Sequence, residues 1–267
     1  MTEKRREKRP DTKILGAHID AVSWNQVLDT ISLWAARRES RYVCLCNVHS
    51  VVTGKQNITF NCIINEADLA IPDGMPIAWM LRARGVSGQQ RINGPDLMWK
   101  LCDRASQGGL PIYLYGATPT VLDSLQGRLL DAFPPLKVAG AYAPPFTALS
   151  EEEDRQIVDD INQSGAAVVF VGLGCPKQEQ WMAVHRGRVH ATMIGVGAAF
   201  DYHAGKVRRA PTWAQRAGLE WLYRLLAEPR RLWRRYLYTN SVFIYHAIRE
   251  CLGKSNRSDD VRDTKRY

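Results

Sequence analysis

The 267-residue sequence predicts an α/β fold in which helices cover both faces of a parallel sheet. Short, nearly all apolar segments alternate along the chain with longer segments of helical periodicity. Because the apolar segments lack a polar residue at every second position, they are typical of strands buried on both faces of a sheet. The alternation and the apolar strands together predict a doubly wound architecture.

Five segments are predicted to form the sheet, since each is rich in apolar residues and ends at a glycine, asparagine or proline. In chain order they are residues 42–46, 111–115, 137–141, 167–171 and 191–196. A further short strand is predicted before the turn Pro72-Asp73-Gly74. In the first strand, Cys44 and Cys46 are expected to share one face, which favours core thiols over a metal or redox pair.

Helices are predicted between these strands, at residues 24–37, 95–107, 118–133, 150–163 and 176–186. The clearest start is Ser150, which can form a capping box with Glu153. Carboxylates in the first helical turn also interact favourably with the helix dipole. The acidic run 151–153 is therefore interpreted as a helix start without a catalytic role.

After about residue 205 the composition changes, and aromatic residues interleave with arginines. Residues 211–227 and 230–249 are predicted as two helices, because Pro229 cannot continue the first helix but can open the second. Aromatic and arginine side chains on amphipathic helices are typical of a membrane-interface helix or an anion-binding lid. The alternative is a docked helical pair with a solvated arginine face.

These features divide the chain into four predicted parts. They are a disordered basic arm (1–12), an α/β domain (13–205), a C-terminal helical appendage (206–250) and a disordered tail (251–267). No run of about eighteen apolar residues occurs, so no transmembrane helix is expected and any membrane contact is expected to be peripheral. The cysteines form no Cys-x-x-Cys pair and no signal peptide precedes them, which favours reduced thiols in the cytosol.

Positive charge is concentrated in the appendage. Lys and Arg number 36 against 27 Asp and Glu, a net charge of +9. Residues 205–250 hold ten basic and three acidic groups, the first ten residues five and two, and the tail five and three, so residues 11–204 sum to −3. A mildly acidic body argues against a nucleic-acid-binding protein, and the local basic surface indicates a local anionic partner.

Three glycine-containing loops follow predicted strands, which is where α/β sheets bind ligands. One runs from Gly172 and Gly174 into a predicted helix start, where backbone amides favour anions. It lacks the third glycine of a dinucleotide fingerprint and the Lys-Ser/Thr of a Walker motif. The others are the turn at Asp73 and the run 195–201. Each alone is compatible with a tight structural turn, but three on one sheet edge indicate a binding site.

Seven sequence blocks resemble, in order, those of the WecG/TagA/CpsF glycosyltransferases, from about residue 13 to residue 240. The blocks are Asn47-Val48-His49-Ser50, Pro72-Asp73-Gly74, 91–97, 171–179, 195–201, 209–211, and 218–224 with 228–231. The resemblance implies a Rossmann-like fold and an inverting transfer of N-acetylmannosamine or a related hexose from a UDP-sugar to a polyprenyl-diphosphate-linked acceptor. It places the protein in cell-envelope or exopolysaccharide synthesis.

The same resemblance implies partners and a location. No metal and no cofactor are expected beyond the UDP-sugar, which is the donor substrate. Residues 206–250 are expected to contact anionic lipid peripherally, on the inner, cytoplasmic face of the cell membrane. A homo-oligomer is possible, and no nucleic acid is expected.

Carried over by position, Asp73 is the expected general base, and Asn47 is expected to hold the sugar or acceptor beside it. Arginine suits the diphosphates because its planar guanidinium can bond phosphate through two N–H groups. The expected substrate-binding residues are Arg91, Gly94, Asp96, Gly172, Gly174, Lys177, Gln178, Glu179, Gly197, Asp201, Arg209, Arg224, Arg231 and Arg234.

One position departs from the family pattern. Many members have a threonine two residues before the active-site asparagine, whereas this chain has Leu45, which leaves the donor sugar open. His49 is either a second acid/base group or a hydrogen-bonded structural histidine. The alternative function is a non-catalytic regulatory protein that binds a UDP-sugar.

Overall fold

The computed structural model of the protein describes residues 12–145 and 147–263, apart from the side chains of Arg216, Arg231 and residues 251–263. Residues 1–11 of the predicted arm and residues 264–267 of the predicted tail lie outside the described residues. The described chain begins with an antiparallel hairpin of two short strands, β1 (Lys13–Ile14) and β2 (Ala17–His18).

A six-stranded sheet lies at the centre, and all of its neighbouring strands pair in parallel. Its strands are β3 (Arg41–Cys46), β4 (Leu69–Pro72), β5 (Ile112–Gly116), β6 (Val138–Tyr142), β7 (Val168–Gly172) and β8 (Thr192–Gly195). Their order across the sheet is β4-β3-β8-β7-β5-β6. The α/β prediction is confirmed, because the parallel sheet and its flanking helices are both present.

Helices cover both faces of this sheet. They are α1 (Trp24–Ala36), α2 (Val48–Gln56), α3 (Ile58–Glu66), α4 (Met75–Ala83), α5 (Gly94–Gly108), α6 (Pro119–Ala132), α7 (Glu151–Gln163), α8 (Lys177–His185) and α9 (Ala199–His203). Helices α1, α5, α6 and α9 contribute to one apolar core, and α2, α3, α4, α7 and α8 to the other. Helices α2 to α4 were not predicted, because segments of nine residues carry too little periodicity to be recognised.

Strand β3 shows how the two cores divide the side chains of the sheet. Cys44 and Cys46 are buried in the core beside α2 and α3, and Leu45 is buried in the core beside α1 and α5. This is the alternation that an extended strand imposes. Both thiols are core groups, as the sequence indicates.

The appendage contains α10 (Thr212–Arg216), α11 (Glu220–Ala227) and α12 (Pro229–Asp263). The prediction of one helix over 211–227 is wrong, because Gly218 adopts a φ of +74° and separates two short helices. The predicted end of the last helix at residue 249 is also wrong, because the backbone of α12 remains helical through residues 251–263. No helix in the described part of the chain is long and apolar enough to cross a membrane.

Candidate functional site

Four neighbouring strands deliver polar residues and glycines to the same edge of the sheet. Asn47 follows β3, Asp73 follows β4, Gly174 lies just beyond β7, and Gly197 lies just beyond β8. Because these strands are parallel and adjacent, their carboxyl ends meet, and this is the edge at which open α/β sheets bind ligands. The structure therefore brings together the loops that the sequence marked separately.

Asn47 and Asp73 face each other across the ends of β3 and β4. Asn47 caps α2 in a capping box, in which its backbone N–H donates to the Ser50 hydroxyl over 2.8 Å and its side-chain oxygen accepts from the Ser50 N–H. The remaining amide nitrogen, Nδ2, lies 3.4 Å from Asp73 Oδ2. The Asp73 N–H donates to the Cys46 carbonyl over 2.8 Å. Local hydrogen bonds thus fix both groups.

The carboxyl of Asp73 has the electrostatics of a general base. Burial raises its pKa to about 6, against the opposing effects of the Arg91 and Arg224 cations and the Asn47 hydrogen bond. The carboxylate of Glu220 adds to the increase. A carboxylate with a pKa near 6 is largely deprotonated at neutral pH yet is a better proton acceptor than an ordinary aspartate. Asp73 is thus suited to remove a proton from a hydroxyl.

The glycines of this edge allow backbone segments to lie unusually close together. A Cβ at Gly94 would lie 2.9 Å from the carbonyl oxygen of Val196 and 3.2 Å from Leu45 Cδ1. A Cβ at Gly172 would lie 2.6 Å from the Phe200 ring. A side chain at Gly94 would push the start of α5 away from the segment after β8, and one at Gly172 would push the end of β7 away from α9. Gly94 and Gly172 therefore shape the site through backbone approach.

Gln178 and Glu179 support the loop that follows β7. Gln178 Oε1 accepts from the Gly174 N–H over 3.1 Å, and its Nε2 donates to Glu179 Oε1 over 2.9 Å. Gln178 is 4% exposed and Glu179 is 1% exposed, and burial raises the pKa of Glu179 to about 7. Lys177 is exposed at the start of α8. Gln178 and Glu179 thus hold the loop from within, whereas Lys177 is open to solvent.

An ion-pair network joins the sheet edge to the appendage. Arg209 donates through both terminal nitrogens to the Asp96 carboxylate, and its Nη2 also donates to Asn93 Oδ1 over 3.1 Å. Arg91 Nη1 donates to Glu220 Oε2 over 2.7 Å, and Arg209 Nε lies 3.6 Å from Glu220 Oε1. Three sequence-predicted residues, Arg91, Asp96 and Arg209, are thereby brought together. Glu220 was not predicted, although it lies within one of the motif blocks.

The pKa of Asp96 reflects its place in this network. Burial acts to raise it, but hydrogen bonds from Arg209 and Asn93 and the charge of Arg209 outweigh burial and hold the pKa below its usual value. Asp96 is therefore a permanent anion that orients Arg209. In this structure its carboxylate is occupied by protein donors.

The arginine side chains of the appendage point in different directions. Arg224 is half-buried, its guanidinium lies 5.8 Å from the Tyr202 ring centroid, and its charge lowers the pKa of Asp73, so it faces the site. Arg234 is exposed and lies 5.3 Å from the Trp233 ring centroid. The half-buried arginine beside it is Arg235, whose charge acts on His49. The side chain of Arg231 lies outside the described residues.

Three other residues named from the sequence occupy the margins of the site. Asp201, on α9, is half-buried, with Lys206 Nζ 3.8 Å from its Oδ1. Burial and the Arg235 charge lower the pKa of His49 to about 4, so this imidazole is neutral at pH 7. Leu45 packs into the core against Gly94 and offers no hydroxyl to the site.

Within residues 12–145 and 147–250, no group of three or more His, Cys, Asp or Glu side chains is placed to hold a metal ion. Metal-independent chemistry stays a prediction from the sequence.

The chain is similar in sequence to known proteins. Residues 12–257 match the sequence model of the Glycosyl transferase WecG/TagA/CpsF family. A relative from Bacillus spizizenii (strain ATCC 23059 / NRRL B-14472 / W23) is named N-acetylglucosaminyldiphosphoundecaprenol N-acetyl-beta-D-mannosaminyltransferase. It is 30% identical over 236 residues, which cover 86% of this chain and 88% of the relative. The chain is a glycosyltransferase and belongs to the WecG/TagA/CpsF family.

Proposed function

We propose that this protein transfers N-acetylmannosamine or a related hexose, with inversion, from a UDP-sugar to a polyprenyl-diphosphate-linked acceptor. The acceptor class follows from the name of the Bacillus relative, which acts on a diphosphoundecaprenol-linked sugar. The observation that carries the proposal is the partly buried Asp73, with its raised pKa, among arginines at the carboxyl edge of the sheet. The product belongs to cell-envelope polysaccharide or exopolysaccharide synthesis.

In this proposal Asp73 accepts the proton of the acceptor hydroxyl as that oxygen attacks the anomeric carbon. The bond from the sugar to UDP breaks on the opposite side, which inverts the configuration. Asn47 lies within 3.4 Å of Asp73 and is placed to orient the hydroxyl beside it. A positioned base of this kind contributes roughly 10²- to 10⁴-fold to the rate.

The UDP leaving group is negatively charged, and cationic side chains lie where we expect it to depart. Arg91, Arg209 and Arg224 lie around the edge, and Gly174 and Gly197 lie close to the first turn of α8. Fixed donors aimed at developing charge stabilise a transition state more than mobile water does. We therefore place the donor diphosphate between these arginines and the β7 and β8 loops.

The appendage presents a surface suited to a lipid bilayer. Large apolar side chains along α11 and α12 are exposed, with arginines among them, and the most exposed include Leu226 (72%) and Leu237 (65%). An interfacial helix buries such a face in the headgroup region while its cations contact anionic lipid. We propose peripheral attachment on the inner face of the cell membrane, next to the lipid-linked acceptor. A homo-oligomer stays a prediction.

A direct test is a screen of UDP-sugars against polyprenyl-diphosphate-linked acceptors, with products detected by mass spectrometry. We expect one UDP-sugar to yield an acceptor lengthened by one sugar residue. The matched control is Asp73→Asn, which keeps the shape of the side chain and removes its basicity. Binding of a UDP-sugar without transfer to any lipid acceptor would instead support a regulatory binding protein.

A further inference from the structure

Glu220 lies where the appendage contacts the edge of the sheet that holds Asn47 and Asp73. It is the first residue of α11, and its side chain is 19% exposed. One of its oxygens accepts from Arg91, which precedes α5, and the other lies beside Arg209 in the segment between α9 and α10. A single carboxylate thus connects three separate segments of the chain.

The two arginines depend on Glu220 to different degrees. Arg209 also donates hydrogen bonds to Asp96 and Asn93, so these two residues hold its guanidinium independently of Glu220. For Arg91, Glu220 is the only ion-pair partner among the residues that the structure describes. The Arg91 side chain is 11% exposed, so water replaces a lost partner poorly. Loss of Glu220 would therefore release Arg91 first.

We propose that Glu220 is a positioning residue: when α11 docks on the sheet edge, its carboxylate fixes Arg91 and Arg209 for the donor diphosphate and balances their charge beside Asp73. This inference rests on the proposed function. Glu220 touches neither reacting atom, and it acts through the two arginines. The device makes the arrangement of the cations conditional on the docking of the appendage.

The second part of the proposed role of Glu220 is to balance the positive charge near Asp73. The groups that face Asp73 are the cations of Arg91 and Arg224, the carboxylate of Glu220 and the amide of Asn47. The cations lower the pKa of Asp73 and Glu220 raises it. Without the Glu220 charge, the pKa of Asp73 falls and the base becomes weaker. The activity would then persist to lower pH, but with a lower maximum.

The test compares Glu220→Gln and Glu220→Asp with wild type in steady-state transfer from the UDP-sugar to the lipid-linked acceptor. For Glu220→Gln we expect kcat to fall about 10²-fold, the scale of a misplaced catalytic group, with a much smaller change in the KM for the UDP-sugar. The acid limb of kcat/KM moves to lower pH. Glu220→Asp, which restores the charge on a shorter side chain, recovers part of kcat and the wild-type acid limb.

The matched control is Glu250→Gln. Glu250 lies on α12, accepts from Arg84 beyond the end of α4, and forms an appendage-to-body ion pair away from the sheet edge. This variant should keep the wild-type kcat and pH profile even where its melting temperature falls. Melting temperatures and hydrogen exchange of the α11 amides, measured on all variants without substrate, separate loss of docking from loss of fold.

Two outcomes would overturn the proposal. Wild-type kcat, KM and pH profile in Glu220→Gln would remove Glu220 from the mechanism. A lower KM for the UDP-sugar with unchanged kcat would show that Glu220 competes with the diphosphate for the arginines. If instead wild-type protein transfers no sugar, the proposed function fails. The exchange data would still report whether Glu220 holds α11 to the edge.

Discussion

The body and the appendage hold their functional groups in different ways. In the body, Asn47 and Asp73 follow two fully buried strands, and hydrogen bonds of their backbone N–H groups fix them. In the appendage, none of the side chains of Glu220–Ala227 is buried, and α11 reaches the site through the ion pairs of Glu220. Ion pairs of partly exposed groups are worth far less than a buried core.

The two regions therefore have separable tasks. In the proposed function, the body supplies the base and the donor pocket. The appendage supplies cations and an exposed apolar surface; its α12 packs Phe243 into the core of the body, whereas α11 is held by partly exposed ion pairs. Such a division suits an enzyme whose soluble donor and lipid-linked acceptor arrive from different phases.

Loss of the Asp73 carboxylate in the body should reduce activity most. Asp73→Asn should lower kcat by roughly 10²- to 10⁴-fold, because the amide cannot accept the proton of the acceptor hydroxyl. Turnover is measured by mass spectrometry of the lipid product. Circular dichroism and UDP binding should stay close to wild type. Unchanged turnover would remove Asp73 from the mechanism and place the chemistry elsewhere.

The comparison also predicts unequal roles for two arginines of the appendage. Arg224 faces Asp73, whereas Arg234 is exposed beside Trp233. Arg224→Ala should lower kcat about 10²- to 10³-fold, the loss seen when one donor to a developing charge is removed. Arg234→Ala should lower kcat less than Arg224→Ala does when the acceptor is a water-soluble analogue. Equal losses on that analogue would show that both arginines reach the diphosphate.

The pH dependence of kcat/KM is expected to report the base. Because the pKa of Asp73 is raised to about 6 by burial, the active deprotonated form is fully present at higher pH and is lost as the pH falls through about 6. Two units below that value, kcat/KM should be down about 100-fold. Initial rates in buffers of constant ionic strength check this. A rate that stays flat down to pH 4 contradicts the assignment.

A smaller effect is expected for the membrane surface. Trp233→Ser or Leu237→Ser should weaken binding to anionic lipid vesicles about tenfold, the scale of one large apolar side chain withheld from the bilayer. Sedimentation with vesicles measures this. Leu33→Ser is the matched control, since Leu33 on α1 is 49% exposed, like Trp233 at 48%, but lies in the body. If all three substitutions weakened vesicle binding equally, the appendage would not be the membrane-binding surface.

Much of the body could be predicted because its signals are local. Each long strand is an unbroken apolar run, and the parallel arrangement places the strand ends at one edge, so Asn47, Asp73 and the glycine loops could be assigned to one site. Helices α2 to α4 were missed because they are short. The break at Gly218 was missed because Gly218 lies within a segment that otherwise has a helical pattern.

The amino-acid sequence is sufficient to predict the α/β class, the basic character of the appendage and the family to which the motifs belong. Which side chains contact one another depends on the packing of the whole chain. This packing buries Gln178 and Glu179 against the β7 loop, turns Arg224 inward and Arg234 outward, and places Glu220 between Arg91 and Arg209. Apolar periodicity is a property of neighbouring residues, whereas an ion pair between residues 129 positions apart depends on how the whole chain packs.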